Sequence, residues 1–127
     1  MDIMDSIVSV AGFDASSGAG VIRDVDTFFS LGFHGIAVPT GTVIQGPSGV
    51  ERVRASSSAL FRDTLAAATR GVRVSGIKIG VLCSEACVRE TAAFVGSHEG
   101  VPVVFDPVFA AKNGIPLITK KGVAACR

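Results

Sequence analysis

The densest group of residues in this 127-residue chain that could do chemistry lies in one run. Ala11-Gly12-Phe13-Asp14-Ala15-Ser16-Ser17-Gly18-Ala19-Gly20 sets a carboxylate and two hydroxyls among three glycines and three alanines. The glycines let the backbone bend and let a ligand approach the main chain closely. Ser16 or Ser17 is placed to cap a following helix, and Asp14 lies near the positive end of that helix. The run is not a P-loop, because no Gly-Lys-Ser/Thr follows it. Nor is it a dinucleotide fingerprint, since Gly18-x-Gly20-x-x ends in Arg23 rather than glycine or alanine. The pattern alone leaves two readings open, a ligand-binding turn and a plain strand-to-helix turn.

Other candidates are spread along the chain. Gln45, in Thr42-Val43-Ile44-Gln45-Gly46-Pro47, has an amide that both donates and accepts, and reads as a ligand contact or as a solvent-facing loop side chain. Asp106 ends an apolar run just before Pro107, as a ligand- or metal-facing carboxylate would, or as a turn residue before proline. Cys83 and Cys87 are one helical turn apart and could share a metal, but no histidine or further cysteine lies nearby to complete a site. Free, partly buried thiols are the better reading. With Cys126 as the third cysteine there is no disulfide framework.

The elements that would position these residues alternate. An apolar strand at Ile7-Val8-Ser9-Val10-Ala11 leads into a helix over residues 18–31, with Val21, Val25, Phe28 and Phe29 on one stripe and Gly32 as its stop. A second strand begins at Gly35 and should end at Pro39 and Gly41, which makes residues 42–47 a loop. A short edge strand over 49–54 follows. Ser56, Ser57 and Ser58 offer caps for a helix to about residue 70, with Leu60, Phe61, Leu65 and Ala68 inward. A strand over 76–82 leads to a helix capped by Ser84 and running to about residue 95, with Val88, Ala92 and Val95 on its inner stripe. A last strand covers 101–107, and residues 120–127 read as the opening turns of another helix. Strands alternating with helices predict a single α/β domain with a mostly parallel sheet and right-handed crossovers. Ligands of such sheets sit beyond the C-terminal ends of the strands.

Composition narrows the partners. Net charge is +1, charged residues make up 18%, and there is no Trp or Tyr, so neither a basic face nor a set of base-stacking aromatics points to nucleic acid. Mean hydropathy is high at +0.52, yet no run approaches the roughly 20 apolar residues of a membrane helix. The start, Met1-Asp2-Ile3-Met4-Asp5, is acidic and lacks the positive region of a signal peptide, so a cytoplasmic protein is expected, with no membrane partner. The high hydropathy means strands buried on both faces, or apolar surface that meets more protein.

Taken together, the motifs resemble one family. Residues 11–20 are similar to the Ala-Gly-x-Asp-x-Ser-Gly-Gly-Ala-Gly turn of the hydroxymethylpyrimidine and phosphomethylpyrimidine kinases, thiamine-pathway enzymes of the ribokinase-like superfamily. Asp24-Val25-Asp26-Thr27-Phe28 resembles the family's Asp-x-Lys-Thr-Phe, Leu31-Gly32-Phe33-His34-Gly35 its Leu-Gly-x-x-Gly, and Val43-Ile44-Gln45 its Val-x-Gln. Lys78-Ile79-Gly80-Val81-Leu82 resembles Lys-Ile-Gly-Met-Leu. Asp106-Pro107-Val108-Phe109-Ala110-Ala111-Lys112-Asn113-Gly114 resembles Asp-Pro-Val-Met-x-x-Lys-Ser-Gly. The motifs run from about Ile7 onward in the family's order and spacing.

The resemblance implies a ribokinase-like three-layer α/β sandwich with a mostly parallel central sheet, of which this chain, residues 1–127, is the N-terminal, substrate-binding half. It implies transfer of the γ-phosphoryl of ATP, with Mg²⁺, to 4-amino-5-hydroxymethyl-2-methylpyrimidine and then to its monophosphate. Gln45 would bond the pyrimidine edge, and Val43, Val81 and Val108 would form apolar walls. Gly12 and Ala19 would permit close approach, Asp14 and Asp24 would complete the substrate-binding set, and Asp106 would stand near phosphate and Mg²⁺.

Departures from the family pattern are Ser17 for a glycine, Gly46-Pro47 for Asn-Thr, and Val81 for Met. The family's later Asn-x-x-Glu and Gly-Thr-Gly-Cys segments have no counterpart before Arg127. Cys126 follows Ala124-Ala125 with no glycine turn to cradle a phosphate. The catalytic groups are therefore expected beyond Arg127, and this stretch alone should transfer little or no phosphoryl. An apolar sheet edge should be left exposed, giving a homo-oligomer or an aggregation-prone chain. Two alternatives remain, a non-catalytic pyrimidine-binding or assembly module that needs a partner chain, and a pyridoxal kinase. Gln45 and the small-walled pocket argue against the second.

Overall fold

A computed structural model describes residues 5–127, so the acidic residues 1–4 lie outside the described part. The elements in chain order are β1 (Asp5–Asp14), α1 (Gly20–Ser30), β2 (His34–Gly46), β3 (Gly49–Ala55), α2 (Ser58–Thr69), β4 (Arg73–Ile79), α3 (Glu85–Gly96), β5 (Val103–Phe105) and α4 (Lys120–Ala125). The strands form one sheet in the order β3-β2-β1-β4-β5. All neighbours are parallel except the β2–β3 hairpin.

Alternation along β1 divides the molecule into layers. Val8 and Val10 are fully buried and, with Ile36 and Val38 of β2, pack against Phe61 and Leu65 of α2 and Cys87 and Val88 of α3. The intervening residues face α1. Ser9 bonds Asp24 of that helix, and Gly35 lies under Val25, where a Cβ would come within 3.0 Å of the valine. Successive side chains of a strand point to opposite faces, so α1 covers one face and α2 and α3 the other. The result is a three-layer α/β arrangement, as the resemblance implies.

The second strand departs from the sequence expectation. Pro39 and Gly41 do not end it, and β2 continues to Gly46. The register between β1 and β2 skips at this point, from Ala11 opposite Pro39 to Gly12 opposite Gly41, which leaves Thr40 as the extra residue. A bulge of this kind accommodates an irregular residue. β3 pairs with β2 only from Gly41 onward, so Pro39 lies where the strand has a sheet neighbour on one side. Gln45 is accordingly a strand residue and not a loop residue.

Three inward assignments on the helices also fail. Phe29 is 79% exposed and Leu60 60%, and Ala92 is exposed while Thr91 takes the inner place. The first helix starts at Gly20 with Ala19 as its N-cap and no side-chain cap from Ser16 or Ser17. The caps at Ser57 and Ser84 form as expected, accepting from Leu60 N and Cys87 N. No helix among the described residues is long and apolar enough to cross a membrane.

Candidate functional site

The β1–α1 turn is built by Asp14. One carboxylate oxygen accepts the Ser16 amide at 2.9 Å and its hydroxyl at 2.7 Å, and the other accepts the Ala19 amide at 3.1 Å. The acid therefore ties down the turn that leads into α1, and the helix itself has no side-chain cap. Burial by itself raises the pKa of Asp14. Hydrogen bonds from Ser16, Gln45 and Ala19 outweigh it and hold the carboxyl below its ordinary value of 3.8. Gly20 opens the helix at φ +68°, and a Cβ there would overlap the Gly12 carbonyl, so the turn closes only around a glycine.

Beyond the C-terminal ends of β1, β2, β4 and β5 lies a cavity of about 650 Å³. Gly12, Asp14, Ala19, Val43, Gln45, Val81, Asp106 and Val108 all line it. Residues up to 96 positions apart in sequence are thus gathered at one place, where open α/β sheets bind ligands (12 to 108). Gln45 is half-buried, and its amide nitrogen donates to Ser16 Oγ at 3.2 Å, which orients the amide across the turn. The walls are apolar valines around a small number of polar groups, the usual make-up of a small-molecule site. Asp106 is exposed at the rim, its amide bonded to Ile79 O at 2.8 Å.

Asp24 is the one expected contact that the cavity lining does not include. It stands behind Lys78, whose ammonium is 2.8 Å from its Oδ2. The sequence assigns no role to Lys78, Asn113, Ser48 or Gly49, and Pro47 stands out in it only as a departure from the family pattern, yet all of them line the cavity. Asn113 reaches across to donate to Val50 O at 2.9 Å, tying the loop after β5 to the β2–β3 hairpin. The signal for Lys78 was available: a lone charge inside the apolar run Ile77-Lys78-Ile79.

Cys83 and Cys87 are buried on either side of Thr40, with Cys83 Sγ 3.3 Å from the threonine hydroxyl and Cys87 donating to Thr40 O at 3.5 Å. Burial pushes the Cys83 thiol up to about 11, so it is not a reactive thiolate. Among the described residues no three His, Cys, Asp or Glu side chains gather as a metal cluster would require.

The profile of the phosphomethylpyrimidine kinase family matches residues 14–127 of the chain. A hydroxymethylpyrimidine/phosphomethylpyrimidine kinase of Aquifex aeolicus is 33% identical over 116 residues, which cover 91% of this chain and 46% of that protein. The crystal structure of a phosphomethylpyrimidine kinase from Clostridium difficile 630 superposes with a TM-score of 0.83 at 26% identity, covering 95% of this chain and 52% of the other. A Bacillus subtilis pyridoxal kinase, solved as an ADP complex, superposes with a TM-score of 0.75 at 28% identity, over 84% of this chain and 40% of that one. The chain spans about half the length of the curated kinase it matches.

Proposed function

The chain belongs to the phosphomethylpyrimidine kinase family, and from that premise we propose that it is the pyrimidine-binding half of a kinase acting in thiamine diphosphate biosynthesis. The reaction is transfer of the γ-phosphoryl of ATP to the hydroxymethyl oxygen of 4-amino-5-hydroxymethyl-2-methylpyrimidine, and then to the resulting monophosphate. The observation that carries this reading is the convergence of Gln45, Gly12, Val43, Val81 and Val108 on one cavity. A pyrimidine edge presents an acceptor nitrogen beside an amino donor, and the Gln45 amide offers the matching donor and acceptor. The valines hold the ring faces. Gly12, whose missing Cβ would lie 3.0 Å from Val43, leaves room for the ring against the main chain.

The residues present are compatible with Mg²⁺ but supply little of its site. Asp14 has both oxygens engaged in its turn, which leaves Asp106 as the lining carboxylate free to face a ligand. One carboxylate together with nucleotide phosphates is a common way of holding Mg²⁺. When bound, the ion neutralises charge on the transferred phosphoryl group. Phosphoryl transfer depends mostly on positioning and charge stabilisation, and the part played by this chain is to bind and orient the acceptor.

Calorimetric titration of the chain with the pyrimidine alcohol tests the reading. Gln45→Ala should weaken binding roughly 10-fold, the effect of losing two neutral hydrogen bonds. Unchanged affinity would remove Gln45 from the site. The likeness to a pyridoxal kinase favours pyridoxal as the competing ligand. Tighter binding of pyridoxal than of the pyrimidine would reassign the substrate.

A further inference from the structure

Lys78 places a charge in the middle of a sheet, between the buried residues Ile77 and Ile79. Such charges are retained when they are paired. Its ammonium lies 2.8 Å from Asp24 Oδ2, and the same oxygen accepts the hydroxyl of the fully buried Ser9 at 2.7 Å. The two side chains keep only 26% and 16% of their exposure. The pair is one-sided with respect to the cavity, because Lys78 lines it and Asp24 does not. An ammonium has three donors, and among the described residues Asp24 is the single partner of this one.

Gly80, two positions further along the chain, also lines the cavity. A Cβ at Gly80 would stand 3.1 Å from Lys78 Nζ, so the glycine keeps clear the space around the lysine head. The remaining charges of the lining differ from it. Asp14 is engaged in its turn, and Asp106 and Lys112 are exposed at the rim. Lys78 is thus a half-buried cation, fixed from behind by Asp24 and Ser9, with donors left for whatever fills the cavity.

We propose that Lys78 reads the charge of the ligand: its ammonium binds an anionic phosphate oxygen, so that the site favours the pyrimidine monophosphate over the uncharged alcohol. This rests on the pyrimidine-binding reading of the cavity. Charge-assisted hydrogen bonds are about twice as strong as neutral ones, and a donor already held in place loses little freedom on binding.

The test is the ratio of affinities for monophosphate and alcohol, measured by titration calorimetry on this chain. Lys78→Met keeps the length and removes the charge, and should lower the ratio about 10- to 100-fold. Because it strands Asp24, the double variant Asp24→Asn with Lys78→Met is measured beside it; there the amide still accepts the Ser9 hydroxyl. Asp24→Asn alone retains the cation and should retain the preference. A ratio unchanged in folded Lys78→Met and in the double variant overturns the proposal, as does an equal loss of affinity for both ligands.

If the wild-type chain binds neither pyrimidine, it is the functional reading that fails. Lys78 is then judged by titration with inorganic phosphate, followed on the Cε NMR signal of Lys78, which is assigned by its absence from Lys78→Met. A saturable shift keeps the anion site, and no shift overturns it.

Discussion

Asp14 commits its whole carboxylate to its own turn, so its influence on any ligand is indirect. It sets the path by which Gly12, Ala19 and Gly20 reach the cavity wall. Asp14→Asn keeps an acceptor for Ser16 but puts an amide where the Ala19 N–H needs an acceptor, and should destabilise the chain by about 1 kcal/mol at neutral pH. The sign of the pH dependence follows from the depressed pKa. The contribution of the carboxylate is fully present above its ordinary value of 3.8 and is lost as pH falls through the lower folded value. Urea denaturation at neutral pH and at a series of pH values below 3.8 should therefore show a gap between wild type and variant that narrows progressively in acid. A gap independent of pH would mean that the ionised form does not hold the turn. At this scale motif and chemistry together pointed to one place, since Asp14, Gln45 and Asp106 all line the same cavity. The sequence marks Lys78 as a lone charge in an apolar run and places Asn113 in a motif, but it gives neither a role, because what each does depends on a partner far away in sequence, Asp24 or Val50.

The seating of α1 on the sheet depends on its two boundary glycines unequally. Gly20 and Gly32 both have positive φ, but only Gly20 also faces backbone, the carbonyl of Gly12, while no described residue lies within 4 Å of the Cβ position at Gly32. Gly32→Ala should cost about 1 kcal/mol, the left-handed penalty alone. Gly20→Ala adds a steric overlap with a fixed strand and should cost roughly 3 kcal/mol or more. Chemical denaturation of the two variants side by side checks this, and equal losses would contradict the close approach of α1 to β1.

The same elements show why type and order of structure were readable while faces were not. Phe29 follows Val21 by eight residues, and at 3.6 residues per turn it has drifted to the flank of the stripe that Val21, Val25 and Phe28 define. Leu60 is one position from the buried Phe61 and so points well away from it. On α3 the inner place at the third step from Val88 goes to Thr91, whose hydroxyl is buried and has no partner among the described residues. Pro39 and Gly41 ordinarily end strands, so the sequence predicts a shorter β2 than the one formed. A bulge that turns Thr40 into the core, where its hydroxyl bonds Val81 O at 2.7 Å, leaves no local signature.

For the whole molecule, the sheet ends on a side unlike its other edge. β3 closes one edge as a charged hairpin strand carrying Glu51, Arg52 and Arg54. β5, at the other edge, is three residues long, and Val103, Val104 and Phe105 are exposed at 40%, 65% and 41%. Phe109 on the following loop is exposed as well. An uncharged apolar edge strand with unpaired backbone groups invites another strand, and the high mean hydropathy of +0.52 points the same way. The chain on its own should therefore self-associate with rising concentration through β5. Val104→Lys introduces the charge that natural edge strands use against such pairing, and it removes the most exposed of the three residues. Sedimentation velocity over a range of concentrations should show association for wild type and a shift toward monomer for the variant, with no change in the far-ultraviolet circular dichroism. A wild-type chain that stays monomeric throughout would show that this edge is already sufficiently protected. Association that persists undiminished in Val104→Lys would move the contact elsewhere, to the second exposed apolar group formed by Phe29, Leu31 and Phe33 at the far end of α1.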